Sequence, residues 1–251
     1  MYALSASDLL GIWENGAGKT PVEQALAILR VAFPRATNAK LMQLTIGQRD
    51  ACLIHLHDLT FGPHLEGLAN CSACNERLEL DFNGRDLLAS SPPLPDPELT
   101  ESLNAESSFH FDAYEVTYRL PTSADLLNSF DLTDASALKE KLLHACVVSV
   151  SCDGAPKDIK ELPENIFNEL VQHMDNADPL ANLTLAASCP ACGHTWQIIF
   201  DIVSYFWNEI NAWAIRLLHE VHLLASAYGW SEKDILNMSA WRRQRYLELI
   251  G

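Results

Sequence analysis

Hydrophobic residues along this chain follow two patterns, one typical of helices and the other typical of short strands. A spacing of three or four residues predicts helices over 20–33, 45–62, 163–175 and 201–229. A spacing of two, bounded by turn residues, predicts strands over 64–70, 77–82, 109–119, 183–188 and 195–200. We therefore expect an α+β fold that is mostly helical and carries only short strands.

Capping and breaking residues mark the ends of several predicted helices. Thr20 followed by Pro21 starts one helix, because a threonine side chain caps the first turn and proline fits its first position. Gly229 ends the long helix that starts at residue 201, and Ser231 with an acid three positions later predicts a restart. Ser239 begins the last helix.

The middle of the chain has the weakest pattern. Residues 90–108 carry four prolines within six positions and predict a mobile connection or exposed loop. A single strand at 109–119 follows, then a helix starting at 121–123 and a second helix, over 134–150, that runs into a short strand.

These elements divide the chain into five segments of one compact unit. The segments are an N-terminal helical region (1–62), a first knuckle (63–89), an insertion with a strand and helices (90–180), a second knuckle (181–201) and a C-terminal aromatic helical region (202–251).

Two copies of a Cys-x-x-Cys unit supply the strongest chemical signal. Cys71 and Cys74 lie in one copy, Cys189 and Cys192 in the other, and each pair sits between two predicted strands. Two such turns place four sulfurs around one tetrahedral ion at about 2.3 Å each. We predict a structural zinc ion held by these four cysteines, within a small antiparallel zinc-ribbon-like sheet formed by the two distant knuckles.

Other interpretations of the cysteines stay open. A pair of redox dithiols, or chance spacing, would give the same motif, although a thioredoxin-type site expects a helix after the motif rather than a strand. His194 lies two residues after Cys192 and is an alternative fourth ligand. Four thiolates leave no coordination position for water or substrate, so the zinc prediction implies no catalysis.

Composition and charge narrow the function classes. Hydrophobic residues make up 48% of the 251 residues, and 17 basic against 33 acidic residues give a net charge of −16. This charge disfavours binding to nucleic acid or anionic membranes. The chain has no secretion signal and no apolar run long enough to span a membrane, so we expect a cytoplasmic protein.

Three short motifs resemble known sites but lack required residues. Gly18-Lys19-Thr20 lacks the first glycine of a phosphate-binding loop, and the His219–His222 spacing is one residue too short for a zinc-protease helix. His55 and His57 are interpreted, like the other two histidines, as surface or interface residues. A nucleotide bound at Lys19, or a zinc ion with an open coordination position, would indicate an enzyme. Without either of these, we expect no small-molecule substrate.

The last fifty residues are rich in aromatic residues and contain a basic cluster. Four of the six tryptophans lie there, and tryptophan and arginine are enriched at the centres of interfaces. We predict a partner-binding surface formed by Trp230, Trp241, Arg242, Arg243, Arg245 and Tyr246. The alternative is that these aromatic residues fill the core.

The chain resembles a known protein family through four stretches in a fixed order. These are "GQRDACLIHLHDLTFGPHLEGLANCSACNERLEL", "RLPTSADL", "SCPACGHTW" and "AYGWSEKDILNMSAWRRQRYLELI", which cover most of residues 40–250. The chain is similar to the T-even-phage baseplate hub assembly proteins and their relatives in phage-tail-like contractile injection systems. The paired Cys-x-x-Cys is the sharpest shared feature, and the motif from Tyr228 to Tyr246 is the next.

The resemblance implies a non-enzymatic role in building a baseplate near its hub and spike. Implied partners are hub, spike or wedge proteins, with assembly in the cytoplasm; the resemblance leaves open whether the chain then departs or stays in the particle. The acidic charge would let the chain cover basic surfaces of a hub protein. The alternative function is that of a zinc-ribbon regulatory protein that binds nucleic acid.

Overall fold

A helical body forms around the N-terminal helices and one helix from the C-terminal part of the chain. The computed structural model describes residues 1–89, 92–98, 104–129 and 134–250. The body contains α1 (Ala6–Gly16), α2 (Pro21–Ala32), α3 (Asn38–Met42), α4 (Ile46–Phe61) and the first turns of α9 (Ile202–Tyr228). Its core is almost entirely aliphatic and is centred on fully buried side chains such as Ile28, Leu53 and Phe206.

Local sequence signals account for the ends of these helices. The Thr20 and Thr45 side chains each accept a hydrogen bond from the backbone N–H of the third residue of the helix they precede. The side chain of that third residue in turn accepts the backbone N–H of the threonine. Such capping boxes satisfy N–H groups that have no partner within the helix. Gly62 ends α4 with φ 101°, and Gly229 ends α9 in the left-handed conformation. The predicted limits of both helices are confirmed.

Two β-hairpins project from this body. The first pairs β1 (His64–Asn70) with β2 (Arg77–Asn83), and the second pairs β7 (Thr184–Ser188) with β8 (Thr195–Ile199), both antiparallel. Within the described residues each hairpin is a separate two-stranded sheet. The mixed helix-and-sheet fold with small antiparallel sheets is therefore confirmed, whereas one sheet shared by both knuckles is not formed.

The chain between the hairpins folds into a four-stranded sheet covered by a helix. Strands β3 (Ser107–Phe111), β4 (Tyr114–Tyr118), β5 (Val147–Cys152) and β6 (Ala155–Pro156) pair in that order and antiparallel. Helix α8 (Glu164–Ala177) buries Ile166, Leu170 and Met174 against this sheet, as its apolar stripe predicts. Helices α5 (Gly84–Leu88), α6 (Ser123–Leu127) and α7 (Ala135–Cys146) connect the parts.

The prediction of one strand over 109–119 is wrong. The chain reverses at Asp112 and Ala113, and Phe111 pairs with Tyr114. Asp112 has φ 52°, a left-handed conformation that aspartate adopts more readily than most residues. No glycine marks the turn, so the alternating pattern looks continuous in the sequence.

The proline-rich loop is only partly described. Residues 92–98 contain no helix or strand, whereas 90, 91 and 99–103 of the predicted loop lie outside the described residues. The described part contacts the body, because the Arg35 N–H donates to the Glu98 carboxylate over 2.9 Å.

The C-terminal residues fold back along the second half of α9. Helices α10 (Glu232–Leu236) and α11 (Ala240–Glu248) begin at Ser231 and Ser239, whose side chains accept the predicted capping bonds. A separate small core joins them to α9 through Leu217, Leu224 and Ile235.

Candidate metal centre

Packing between α4 and α9 brings the two distant knuckles to one place. The last turns of α4 contact the first turns of α9: the Phe61 and Phe206 ring centroids are 6.0 Å apart, and His57 Nε2 lies 2.5 Å from Glu209 Oε2. The first hairpin starts directly after α4, and the second ends directly before α9. Both hairpins therefore leave the body at the same end.

Aromatic contacts fix the bases of the hairpins to each other. The Phe82 ring of β2 meets the Phe200 ring, which follows β8, edge-on with centroids 5.0 Å apart. The Tyr205 hydroxyl of α9 accepts a hydrogen bond from the Glu66 N–H of β1 over 3.0 Å. These contacts align the two Cys-x-x-Cys turns at the hairpin tips.

The two turns have the same backbone geometry. The Cys71 N–H donates to the Glu76 carbonyl and the Cys189 N–H to the His194 carbonyl, both over 2.8 Å. Each first cysteine also accepts, at its carbonyl, the N–H of the residue four positions later over 2.9 Å. That residue has positive φ in both turns: Asn75 at 62° and Gly193 at 72°. Glycine adopts this conformation without steric cost, and asparagine adopts it more readily than most other residues.

The four sulfurs form one compact group. Cys71 Sγ lies 3.7 Å from Cys192 Sγ, Cys74 Sγ lies 3.6 Å from Cys189 Sγ, and all four lie within 4.8 Å of one another. Four sulfurs about 2.3 Å from a tetrahedral ion are about 3.8 Å from each other. The two cross-knuckle distances match this edge length and are far too long for disulfide bonds. The cysteines therefore fit a tetrahedral metal ion.

Thiol ionisation in the group depends on the neighbouring sulfurs. Burial alone would raise the pKa of the Cys71 thiol, but N–H groups of Cys74 and Ala73 outweigh it and lower this pKa to about 7. The Glu76 N–H lowers the pKa of Cys74, yet hydrogen bonds with the other sulfurs, Cys192 first, raise it to about 12. A cation at the centre stabilises all four thiolates together, so such a group suits a metal better than it suits free thiolates.

His194 is engaged outside the sulfur group. Its Nε2 lies 3.0 Å from Ser72 Oγ of the other knuckle, and its ring stacks on Trp196 with centroids 5.7 Å apart. Its side chain thus adds a direct contact between the knuckles. This arrangement favours the set of four cysteines over one in which His194 replaces a sulfur.

The group is buried on one side and exposed on the other. Cys71 and Cys189 are almost fully buried, whereas Cys74 and Cys192 are exposed.

Of the other three cysteines, Cys52 and Cys146 are buried in apolar surroundings, as their helical context predicts. Burial raises the pKa of both thiols to about 12, which makes them inert at neutral pH.

The six predicted partner-binding residues of the tail point in two directions. Three contribute to the small core: Trp230 and Tyr246 pack against it, and Arg243, 5% exposed, pairs with Glu220 at 3.0 Å. Trp241, Arg242 and Arg245 are exposed on the other side of α11.

Two buried polar contacts were not predicted from the sequence. His57, interpreted from the sequence as a surface or interface histidine, is 1% exposed and lies against Glu209, so a surface position is wrong. Asp178 is buried and accepts the Gly47 N–H over 2.9 Å, which ties the start of α4 to the segment before the second hairpin. These partners are 152 and 131 residues apart, and no local pattern connects them.

Comparison with known proteins identifies the family. The family described as T4 bacteriophage base plate protein matches residues 7–207. The chain belongs to this family. No curated protein and no solved structure matches this chain.

The base plate family match covers the body, both hairpins and the sheet between them. It begins at residue 7, earlier than the resemblance from residue 40, and ends inside α9. Both Cys-x-x-Cys turns therefore lie within the part shared with the base plate family. The tail motif from Tyr228 to Tyr246 lies beyond the matched residues, and its assignment stays a prediction. Among the described residues of this base plate protein, no helix is long and apolar enough to cross a membrane.

Proposed function

We propose that this chain is a non-enzymatic assembly or structural protein of the baseplate in a contractile, phage-tail-like injection system, acting near the hub and spike. The match to the base plate family over residues 7–207 carries the proposal. Hub, spike or wedge proteins are its proposed partners, and the exposed tail residues Trp241, Arg242 and Arg245 are the proposed contacts. Assembly takes place in the cytoplasm.

The metal in this proposal is one structural zinc ion bound by Cys71, Cys74, Cys189 and Cys192. Sulfur distances close to a tetrahedral edge support it, and thiolates select zinc among the common ions. The ion joins the knuckle segments 63–89 and 181–201 in a zinc-ribbon-like arrangement. A shell of four thiolates has no free position for a substrate, which supports a role without catalysis.

Zinc content tests the metal assignment. The purified wild type should contain one zinc per chain, and the Cys71→Ser/Cys189→Ser variant should contain none, by elemental mass spectrometry. Cys152→Ser is the matched control, because this cysteine lies outside the sulfur group, and it should keep the full zinc content. One zinc per chain in the double variant would exclude the four-sulfur site.

Particle assembly tests the baseplate role. Cells that lack this chain should yield no complete contractile particles, while sheath and tube proteins accumulate unassembled. Particles purified from wild-type cells should then be probed for the chain by mass spectrometry, which separates a permanent subunit from an assembly factor that leaves. Normal particles in the absence of the chain would refute the proposal.

The net charge of −16 supports a further property of the same proposal. An acidic protein can cover basic surfaces of a hub protein until they are needed. Binding to hub subunits should therefore weaken as salt rises from low to physiological concentration. Binding that does not change with ionic strength would refute this property.

The nucleic-acid-binding alternative is disfavoured by the charge of the first hairpin. Its outward face carries Glu66, Glu79 and Asp81, all exposed, against one arginine, Arg77, whereas a ribbon that binds phosphates needs an excess of lysine or arginine. A gel shift with random duplex DNA at low salt should show no complex. A complex at micromolar protein would revive the alternative.

A further inference from the structure

The exposed face of α11 combines large apolar side chains with arginines. Trp241 is 69% exposed and Leu249 is 75% exposed, and they lie eight residues apart on one side of the helix with Arg245 between them. The Arg245 guanidinium lies over the Trp241 ring, 5.2 Å from its centroid, and its Nη1 also pairs with the exposed Glu248 at 2.7 Å. A surface pair of this kind contributes little stability, so Arg245 can exchange it for a partner's carboxylate, and Arg242 adds a second positive charge nearby. The opposite side of α11 is fixed to α9 by the Arg243–Glu220 ion pair. Within the described residues the outward side keeps Trp241, Arg245 and Leu249 exposed, which is the composition of an interface centre.

The outward face of the first hairpin has the complementary composition. Its cross-strand pairs are Glu66 with Asp81 and Leu68 with Glu79, and all four side chains are exposed. Like charges in directly opposite positions destabilise a hairpin unless a cation reduces their repulsion. The same face also carries His64, whose Nδ1 lies 3.5 Å from Asp81 Oδ1, and Arg77, two residues before Glu79 on β2, so three carboxylates face one arginine. Leu68, 58% exposed, supplies an apolar centre between the carboxylates.

The two faces do not meet within one molecule. The hairpin is fixed to α9 at Tyr205 and α11 is fixed to α9 at Glu220. These anchors are 15 residues apart, about 22 Å along the helix axis. Each face is therefore free for the complementary face of another copy.

We propose that copies of this chain associate head to tail, with the Trp241–Arg245 face of α11 in one copy docked on the Glu66–Asp81 face of the first hairpin in the next. The partner is a second copy because this chain itself presents both the basic aromatic face and the acidic apolar face. This goes beyond the proposed function, because it assigns a second copy to the tail surface that the proposed function gives to hub, spike or wedge proteins; the baseplate role itself does not depend on it. A contact between two different faces leads to a ring or to an open chain of copies.

Salt has two opposing effects on this association. Whole molecules with a charge of −16 repel one another, whereas the docked faces attract over a few ångströms. At 0.15 M salt the screening length is about 8 Å, which reduces the long-range repulsion more than the contact between faces. Association should therefore be measured near physiological salt rather than at low salt.

Charge reversal tests the pairing of the two faces. Sedimentation velocity of the zinc-containing full chain should show species heavier than 27.9 kDa that grow with protein concentration. Arg245→Glu and Asp81→Arg should each weaken association at least about tenfold, because like charges then face each other. The double variant Arg245→Glu/Asp81→Arg should recover association, as should an equimolar mixture of the two single variants.

Matched reversals on α7 control for net charge. Lys139→Glu and Glu140→Arg change the charge by the same amounts at exposed positions of α7, and association should stay at the wild-type level. A chain that remains at 27.9 kDa up to 100 μM, or reversals on α11 and the hairpin that act no more strongly than those on α7, would overturn the proposal. Either result leaves the outward face of α11 for a different baseplate protein. Zinc content and particle assembly are separate measurements, so failure here does not affect them.

Discussion

Removing the metal link between the knuckles should destabilise the whole fold rather than only the hairpin tips. The decisive variant is Cys74→Ser/Cys189→Ser, which removes one sulfur from each knuckle and opens the 3.6 Å contact between them. Both side chains lie at the tips, so the change from sulfur to oxygen disturbs little of the helical body. Serine is a poor ligand for zinc, and the two remaining thiolates do not fill a tetrahedral shell.

The size of the effect follows from the length of chain that the metal closes. The two cysteines are 115 residues apart. By the entropy relation used for disulfides, a link that closes such a loop destabilises the unfolded chain by about 5 kcal/mol. For a chain of this size, a loss of about 5 kcal/mol corresponds to a fall of about 10–20 °C in Tm. The estimate is an upper bound, because an ion also binds partly to unfolded cysteines.

Urea unfolding with a fixed zinc concentration measures this loss. The midpoint should fall strongly in the double variant and remain unchanged in Cys152→Ser, and a chelator should lower the wild-type midpoint toward that of the variant. Circular dichroism reports the helices, and tryptophan fluorescence reports the body, the second hairpin and the tail through Trp207, Trp196 and Trp230, so both signals should shift together. A loss below about 1 kcal/mol would refute the reasoning, since it would mean that the knuckles separate locally while the body stays folded.

Three further predictions concern the body and the tail. Gly47→Ala should cost about 2 kcal/mol or more, because its Cβ would lie 2.0 Å from a buried carboxylate oxygen, whereas Gly11→Ala, with nothing within 4 Å, should gain about 0.5–1 kcal/mol. Arg243→Met should cost about 2 kcal/mol by removing a buried ion pair, while Arg245→Met on the exposed face should cost less than about 1 kcal/mol. Burial raises the pKa of the Asp50 carboxyl from 3.8 to about 6, so the folded state binds the carboxyl proton more tightly than the unfolded chain does. The stability of the wild type relative to Asp50→Asn should therefore increase as the pH falls from 7 to 5.

Each of these has an outcome that contradicts it. Equal stabilities of the two alanine variants would mean that the start of α4 is less tightly packed than described. Equal losses for the two methionine variants would remove the distinction between the inner and outer faces of α11. A stability difference between wild type and Asp50→Asn that does not change with pH would mean that this carboxyl titrates alike in both states. All three comparisons use urea midpoints.

The sequence predicts the knuckles well because their signals are local and redundant. Each knuckle combines a Cys-x-x-Cys turn, a residue of positive φ and strands of alternating polarity, and all three agree. Helix α8 is similar, since Ile166, Leu170 and Met174 recur at helical spacing and are the residues that it buries. The strand over 109–119 fails because its turn depends on one aspartate in an uncommon conformation, which alternation does not reveal.

Contacts between distant residues are beyond such patterns. The approach of Asp178 to Gly47 and of Glu209 to His57 arises from how α4 packs against other elements, not from neighbouring residues. The tail illustrates the same limit. Arg243 and Arg245 look alike in the sequence, yet one pairs with Glu220 inside and the other lies exposed, because α11 is an amphipathic helix against α9. Only the docked position of that helix separates their roles.

The order in which the chain is synthesised gives the α4–α9 contact a consequence for folding in the cell. At 5–20 residues per second, a ribosome needs about 6–23 s to make the 115 residues that separate Cys74 from Cys189. During that interval the first pair of thiols has no second pair with which to bind an ion. The apolar surfaces of α1, α2 and α4 also stay uncovered, because Ile202, Phe206 and Ile210 have not yet been synthesised. The nascent N-terminal half thus stays incomplete until the ribosome has passed the second knuckle. Stalled or truncated products that end before residue 202 should therefore be targets for chaperones and proteases.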